Sequence, residues 1–156
     1  MTIRRALAGD IQTVVSLTAA AYAPYSAILD APPIPVTEDY APRIARGEVW
    51  LLESGSEPAG VLTLERHTDY AMIFSVAVSP VFQGKGFGIK LLNHADQQTR
   101  SWGLPEIRLY TNAKMERNIA LYLAYGYRET GRRTNPYRPG WVLVDMAKPV
   151  DETTTA

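Results

Sequence analysis

Cysteine is absent from the 156 residues. Disulfides, thiolate metal sites and a cysteine nucleophile are thereby excluded. Histidine is scarce. The two that occur, His67 and His94, have no ligand-like spacing, so no metal site is expected. A charge surplus is lacking too. Lys and Arg number 16, Asp and Glu number 16, and the net charge is zero. Without surplus positive charge to displace counterions, the chain is a poor nucleic-acid binder. No apolar run approaches the roughly 20 residues that span a bilayer, so no membrane association is expected. The start, Met-Thr-Ile-Arg-Arg, leads into small and polar residues rather than a long apolar segment. That reads as no signal peptide and as a cytoplasmic location.

What is present is ordinary for a globular protein: 46% hydrophobic and 21% charged residues. The length fits one domain, taken as 1–150, with a core of useful size. Residues 151–156 are polar and threonine-rich, and a frayed tail is expected there.

Residues 2–5 read as a first strand. Asp10 is a good helix cap, and Ile11, Val14, Val15, Thr18 and Tyr22 recur at helical spacing, which predicts a helix over 10–22. Segment 23–36 holds Pro24, Pro32, Pro33 and Pro35 and reads as a long loop, either a binding lid or a surface connection. A short helix over 37–45 follows, capped by Asp39 and ended by Gly47. Residues 48–54 and 59–66 read as a hairpin about Ser54-Gly55-Ser56. Residues 70–78 read as the next strand, with Met72, Phe74, Val76 and Val78 on one face. A helix over 88–102 places Ile89, Leu92, Ala95 and Trp102 on one side, and Gly103 ends it. On this helix His94, among Asn93, Asp96, Gln97 and Gln98, reads as part of a solvated face. Residues 107–110 read as a strand and 118–125 as a short helix closed by Gly126. Strands over 127–133 and 141–146 finish the chain. The order is β-α-α-β-β-β-α-β-α-β-β.

Chemistry concentrates in residues 75–88, Ser-Val-Ala-Val-Ser-Pro-Val-Phe-Gln-Gly-Lys-Gly-Phe-Gly. A strand ends, a glycine-rich turn follows, and a helix begins. Gly84, Gly86 and Gly88 permit backbone conformations closed to other residues and let a ligand approach the amides. Exposed N–H groups at a helix start suit a phosphate or pyrophosphate, and Lys85 adds a positive charge. A Walker loop needs Gly-Lys followed by Ser or Thr at set spacing, which is missing. A dinucleotide fingerprint needs glycine at 89 or 91, where Ile89 and Leu91 stand. The pattern left is Gln83-x-x-Gly86-x-Gly88.

That pattern resembles the central motif of the GNAT superfamily of acyl-CoA-dependent N-acetyltransferases, Gln/Arg-x-x-Gly-x-Gly/Ala between the fourth strand and the third helix. A second motif of that family ends Leu-Tyr-x-x-x-Gly-Phe/Tyr. Here Asn118 is followed by Leu121-Tyr122 and Gly126-Tyr127 at that spacing. The element order over nearly the whole chain agrees. The resemblance implies an α+β fold, a single GNAT-like domain. Its mixed, mostly antiparallel sheet has about seven strands, flanked by about four helices and splayed after strand 4.

The resemblance also implies roles. Acetyl-CoA is the co-substrate, with no metal. Val76 and Val78 offer backbone groups to its pantetheine arm, and the Val78 N–H is the oxyanion donor. Gln83, Gly84, Lys85, Gly86, Phe87 and Gly88 hold the pyrophosphate. Tyr122 is the general acid to the CoA thiolate; a phenol with a pKa of about 10 can donate to a thiolate whose parent thiol is about 8.5. Asn118 binds the CoA arm, orders a water or caps its helix. Many relatives carry a base on the fourth strand near the positions of Phe74 and Ser75, neither of which can serve. Glu65 is the base carried forward, with His67, Tyr22, Tyr25 and a water relay from Ser75 backbone groups as alternatives. Tyr22, Tyr25 and Ile28 are assigned to the acceptor. Tyr125 and Tyr127 read as buried aromatics, and Arg132, Arg133 and Arg138 as a solvated turn.

The expected acceptor is a small-molecule amine or amino-acid-like compound, attacked directly in a ternary complex. The alternatives are a protein N-terminal or lysine acetyltransferase and, from another class, a non-catalytic acyl-CoA-binding module. A nucleotide-binding fold comes third. Trp141, Val142 and Leu143 on the last strands are compatible with a homodimer.

Overall fold

The computed structural model describes residues 1–136 and 138–150. The tail assigned to 151–156 lies outside them. Among the described residues there are seven strands and five α-helices. They are β1 (Thr2–Arg5), α1 (Ile11–Leu29), α2 (Ile34–Thr37), α3 (Ala41–Ala45), β2 (Val49–Ser54), β3 (Glu57–Arg66) and β4 (Ala71–Val78). Then come α4 (Phe87–Ser101), β5 (Glu106–Asn112), α5 (Glu116–Tyr125), β6 (Arg128–Thr134) and β7 (Val142–Pro149). The strands form one mostly antiparallel sheet of order β1-β2-β3-β4-β5-β7-β6. No described helix is long and apolar enough to cross a membrane.

The chain forms two compact units. The first takes Met1–Glu65 and Phe74–Ala95; the second takes Arg66–Ile73 and everything from Asp96 on. In the first, β1 lies antiparallel to β2 with Ile3 opposite Leu52, and β2 antiparallel to β3 with Leu51 opposite Val61. Both hairpin strands are buried along most of their length, so they read as continuous apolar runs rather than alternation. Gly60 is needed on packing grounds. A Cβ there would stand 2.9 Å from a Leu91 methyl and 3.2 Å from the Ala77 carbonyl oxygen.

In the second unit β5 pairs in parallel with β4 over Ala71–Ile73 and antiparallel with β7 along its whole length. The unit ends on β6, whose residues are exposed except for half-buried Gly131. A part-buried ion pair sits inside this unit. Lys148 Nζ lies 2.7 Å from Asp96 Oδ2, and the Tyr125 hydroxyl donates to the same oxygen at 3.3 Å. Burial first, and Asp96 second, raise the Tyr125 pKa above its usual value.

Four expectations need correction. The first helix does not end at Tyr22. It runs through Pro24 to Leu29. Proline's fixed φ is helical, and the loss is confined to one N–H and a clash one turn back. Buried Leu29 anchors the added turn, and Asp30 at φ +57° then ends it. The loop expected over 23–36 therefore shrinks, and α2 takes part of the rest. The helix predicted over 37–45 is only Ala41–Ala45. Asp39 is not its cap residue but does accept the Ala41 N–H at 3.2 Å. On α4, Ile89 is exposed, and Leu91, Leu92 and Ala95 take the buried face. Finally, neither His94 nor Asp96 lies on a solvated face. His94 packs edge-on against Trp50 with its Nε2 buried, and Asp96 is 7% exposed.

Candidate functional site

The turn from β4 into α4 lies in the first unit. Proline at 80 cannot continue a ladder, so a single 3₁₀ turn, Pro80–Phe82, follows β4. Gln83 is extended, and its Nε2 points back to the Val78 carbonyl oxygen at 3.4 Å. Gly84 and Gly86 both adopt φ +79°, where only glycine is unstrained. Nothing lies within 4 Å of a Cβ at either position, so the glycines serve conformation rather than packing. The Gly86 carbonyl accepts the first helical hydrogen bond, from Lys90 N–H at 3.2 Å. The N–H groups just inside α4 thus lack intrahelical acceptors, and the helix dipole stands behind them. Gly88 is already within α4. Lys85 is exposed, its Nζ 5.6 Å from the Phe82 ring, and Phe82 and Phe87 face each other across the turn. Such a turn can hold a diphosphate by backbone amides with one cation beside it.

The strand leading into that turn has a defined orientation. The Ser79 N–H donates to the Ala59 carbonyl on β3 at 2.8 Å. The Ala77 carbonyl also points to β3, beside Gly60. Backbone polar groups alternate along an extended strand, so the N–H and C=O of Val76 and Val78 face away from β3. Two contacts agree. Gln83 reaches the Val78 carbonyl, and the Tyr22 hydroxyl donates to the Val76 carbonyl at 3.3 Å. The Val76 side chain is buried and that of Val78 half-buried, so core packing and an available backbone edge coexist.

Tyr22 comes from α1. Its hydroxyl also lies 3.2 Å from Ser75 Oγ. Burial raises the phenol pKa, and the hydrogen bonds with Ser75 and Val76 only partly offset this, so Tyr22 is a neutral donor at physiological pH. Tyr25 is half-buried one turn on, and Ile28 is exposed. Glu65, at the end of β3, accepts from Arg43 Nη1 at 2.8 Å. Arg43 also pairs with Glu38 and Glu48, and its guanidinium lies 3.9 Å over the Phe74 ring. The sequence reading gave Arg43 no role. The signal was there: an arginine inside the short helix Ala-Pro-Arg-Ile-Ala, five residues from a glutamate on each side.

Tyr122 and Asn118 belong to the second unit, on α5. Tyr122 is buried, its ring edge-on to Tyr127 at 5.8 Å. Its carbonyl accepts both the Gly126 and Tyr127 N–H groups, and Gly126 at φ +118° makes that closure. Tyr127 is buried as expected, whereas Tyr125 is half-buried. Asn118 is the third residue of α5 and not its cap. The turn that launches the helix is made by Asn112. Its Oδ1 takes the Lys114 N–H at 2.9 Å and its carbonyl the Met115 N–H at 2.9 Å.

Known proteins bear on this arrangement. The model of the acetyltransferase (GNAT) family matches residues 15–127. A ribosomal protein bS18-alanine N-acetyltransferase of Salmonella typhimurium is 36% identical over 69 residues, which is 44% of this chain and 47% of that protein. An IAA acetyltransferase of Azospirillum brasilense is 28% identical over 91 residues, 58% of this chain and 59% of that protein. The matched region thus spans about half the length of these curated relatives. Among solved structures, the ribosomal-protein-S18-alanine N-acetyltransferase of Escherichia coli superposes with a TM-score of 0.77 at 25% identity, covering 96% of this chain and 94% of that one. The PaiA N-acetyltransferase of Thermoplasma acidophilum, solved with coenzyme A, shares the fold with a TM-score of 0.79 at 17% identity, over 95% of this chain and 98% of that one.

Proposed function

The chain belongs to the acetyltransferase (GNAT) family, and on that premise we propose that it transfers an acetyl group from acetyl-CoA to a primary amine of a small or amino-acid-like acceptor, by direct attack in a ternary complex. The observation that carries the reading is the turn into α4. Gly84 and Gly86 at φ +79° free the amides of residues 83–88 for a pyrophosphate, immediately after a strand edge that offers Val76 and Val78 to an extended pantetheine arm.

The neutral amine attacks the thioester carbonyl carbon, and the carbonyl electron pair moves to oxygen. The Val78 N–H hydrogen-bonds the oxyanion. Collapse re-forms the carbonyl and breaks the C–S bond. The departing thiolate takes a proton from the Tyr122 hydroxyl. The proton lost by the amine passes to Glu65, and Tyr122 is reprotonated through solvent, so the balance is amide plus free thiol. Asn118 contacts the CoA arm, and Tyr22, Tyr25 and Ile28 line the acceptor side. Direct attack is the form such a reaction takes in a chain without cysteine, which has no thiol to carry the acyl group.

A second acceptor class is favoured by one observation: the likeness to enzymes that act on the alanine of ribosomal protein bS18. The acceptor is then a protein N-terminus. Calorimetric titration with acetyl-CoA, with NAD and ATP as controls, tests the donor site. Binding of acetyl-CoA alone is expected, and its absence sinks the assignment. Thiol release with a panel of small amines, set against short peptides beginning with alanine, then separates the acceptors. Binding with no acetylation of either panel identifies a non-catalytic acyl-CoA module.

A further inference from the structure

Tyr22, expected at the acceptor, has its hydroxyl engaged by the chain itself. In the folded chain that hydroxyl is 3.3 Å from the Val76 carbonyl and 3.2 Å from Ser75 Oγ, and the side chain is 6% exposed. The contact answers a structural need. The Val76 carbonyl faces away from β3, as the Ser79–Ala59 hydrogen bond and the direction of the Ala77 carbonyl require. A backbone carbonyl in a buried segment needs a partner. An α1 side chain supplies it, from the turn just before Pro24. Ser75 is itself 2% exposed. Here it serves the link between α1 and β4.

We propose that Tyr22 is a positioning residue: its hydroxyl pins the side of β4 that faces away from β3, through Ser75 and Val76, and so fixes the direction in which the Val76 and Val78 N–H groups meet the pantetheine arm and its thioester. This rests on the acetyl-CoA reading above. A donor worth having must be aimed before the oxyanion forms, because reorientation during the reaction costs what the hydrogen bond returns.

The test needs no acceptor. Backbone amide spectra of 15N-labelled protein are recorded free, with CoA and with acetyl-CoA. In the wild type, the Gly84 and Gly86 amides respond to both ligands, and Val76 and Val78 report the acetyl group as a difference between them. Tyr22→Phe keeps the ring and removes the hydroxyl. It is expected to leave the Gly84 and Gly86 responses intact and to at least halve the acetyl-specific shifts at Val76 and Val78. Ser75→Ala, which leaves the Tyr22–Val76 contact, is expected to have a smaller effect in the same direction, and it provides the readout if Tyr22→Phe fails to fold. Unchanged Val76 and Val78 differences in the variants overturn the proposal. So does a loss spread evenly over strand and glycine turn, which marks a merely structural role. If the wild-type Gly84 and Gly86 amides ignore acetyl-CoA, the donor assignment has failed first and the proposal falls with it.

Discussion

Arg43 Nη1 lies 2.8 Å from Glu65 Oε2, while the same guanidinium holds Glu38 and Glu48 and covers the Phe74 ring. One side chain thus ties α3 to the segment before it, to the residue preceding β2 and to the end of β3. Its side chain is 10% exposed, and those of its three carboxylates between 18% and 30%. Arg43→Met takes this cation from Glu38, Glu48 and Glu65, and Glu48 keeps Arg46. The expected loss is about 2 kcal/mol, between the values for exposed and for buried pairs, read from urea unfolding. A loss under about 0.5 kcal/mol shows the cluster to be ordinary surface charge.

Glu65→Gln separates two roles. As the base it should lower kcat by roughly tenfold or more and flatten the acid limb of the pH profile. A variant that turns over within twofold of wild type removes Glu65 from the mechanism and leaves it as a partner of Arg43.

Replacement of Tyr122 by phenylalanine should lower kcat by about a hundredfold, the usual scale for a lost general acid. The calorimetric affinity for acetyl-CoA should stay within about threefold of wild type. A parallel loss of affinity would instead mean that the ring, packed against Tyr127, shapes the CoA site.

Gly86→Ala introduces a methyl group that meets nothing within 4 Å, but at φ +79°. The strain is about 1–2 kcal/mol, and the loop relieves it by turning its amides. Acetyl-CoA should bind about tenfold more weakly, with the melting temperature lowered by only a few degrees. Full affinity in this variant would detach the glycine turn from the diphosphate.

His94 gives a pH signature. Burial, with a lesser push from Arg5, lowers its pKa below the ordinary histidine value. The unfolded chain therefore binds a proton that the folded one resists. Stability from this group is complete above the unfolded pKa of about 6.5 and is lost as pH falls through the folded value. Denaturation midpoints should drop between pH 7 and 5 in wild type and less so in His94→Gln. Parallel curves would mean that the half-buried imidazole has no shifted titration.

Strand residues and the glycine turn were legible in sequence because their signals are local. β1 falls at 2–5 as predicted, and the apolar runs of β2, β3 and β4 are found within a residue or two. What was misread depends on distant partners. Pro24 ends helices in general, yet here buried Leu29 carries α1 past it. Periodicity put Ile89 inside, but the start of α4 belongs to the exposed turn and Leu91 faces the core in its place. Asp96 is charged and among polar neighbours, and its burial rests on distant partners, Lys148 52 residues away and Tyr125 29 residues away. The bond from Tyr22 to Ser75 joins residues 53 apart, and no spacing rule would reveal it.

The end strand β6 has one more consequence, which bears on handling the protein. Arg128, Glu129, Arg132 and Arg133 stand on a strand exposed almost throughout, where Glu129 pairs with Arg132 and Asp145 of β7 with Arg133. A foreign strand docking along that edge would have to strip water from guanidinium groups and break those pairs. The register shift between Glu129 and Gly131 further spoils the template. This edge is therefore a poor seed for fibrils, even though the chain carries no net charge to keep its copies apart.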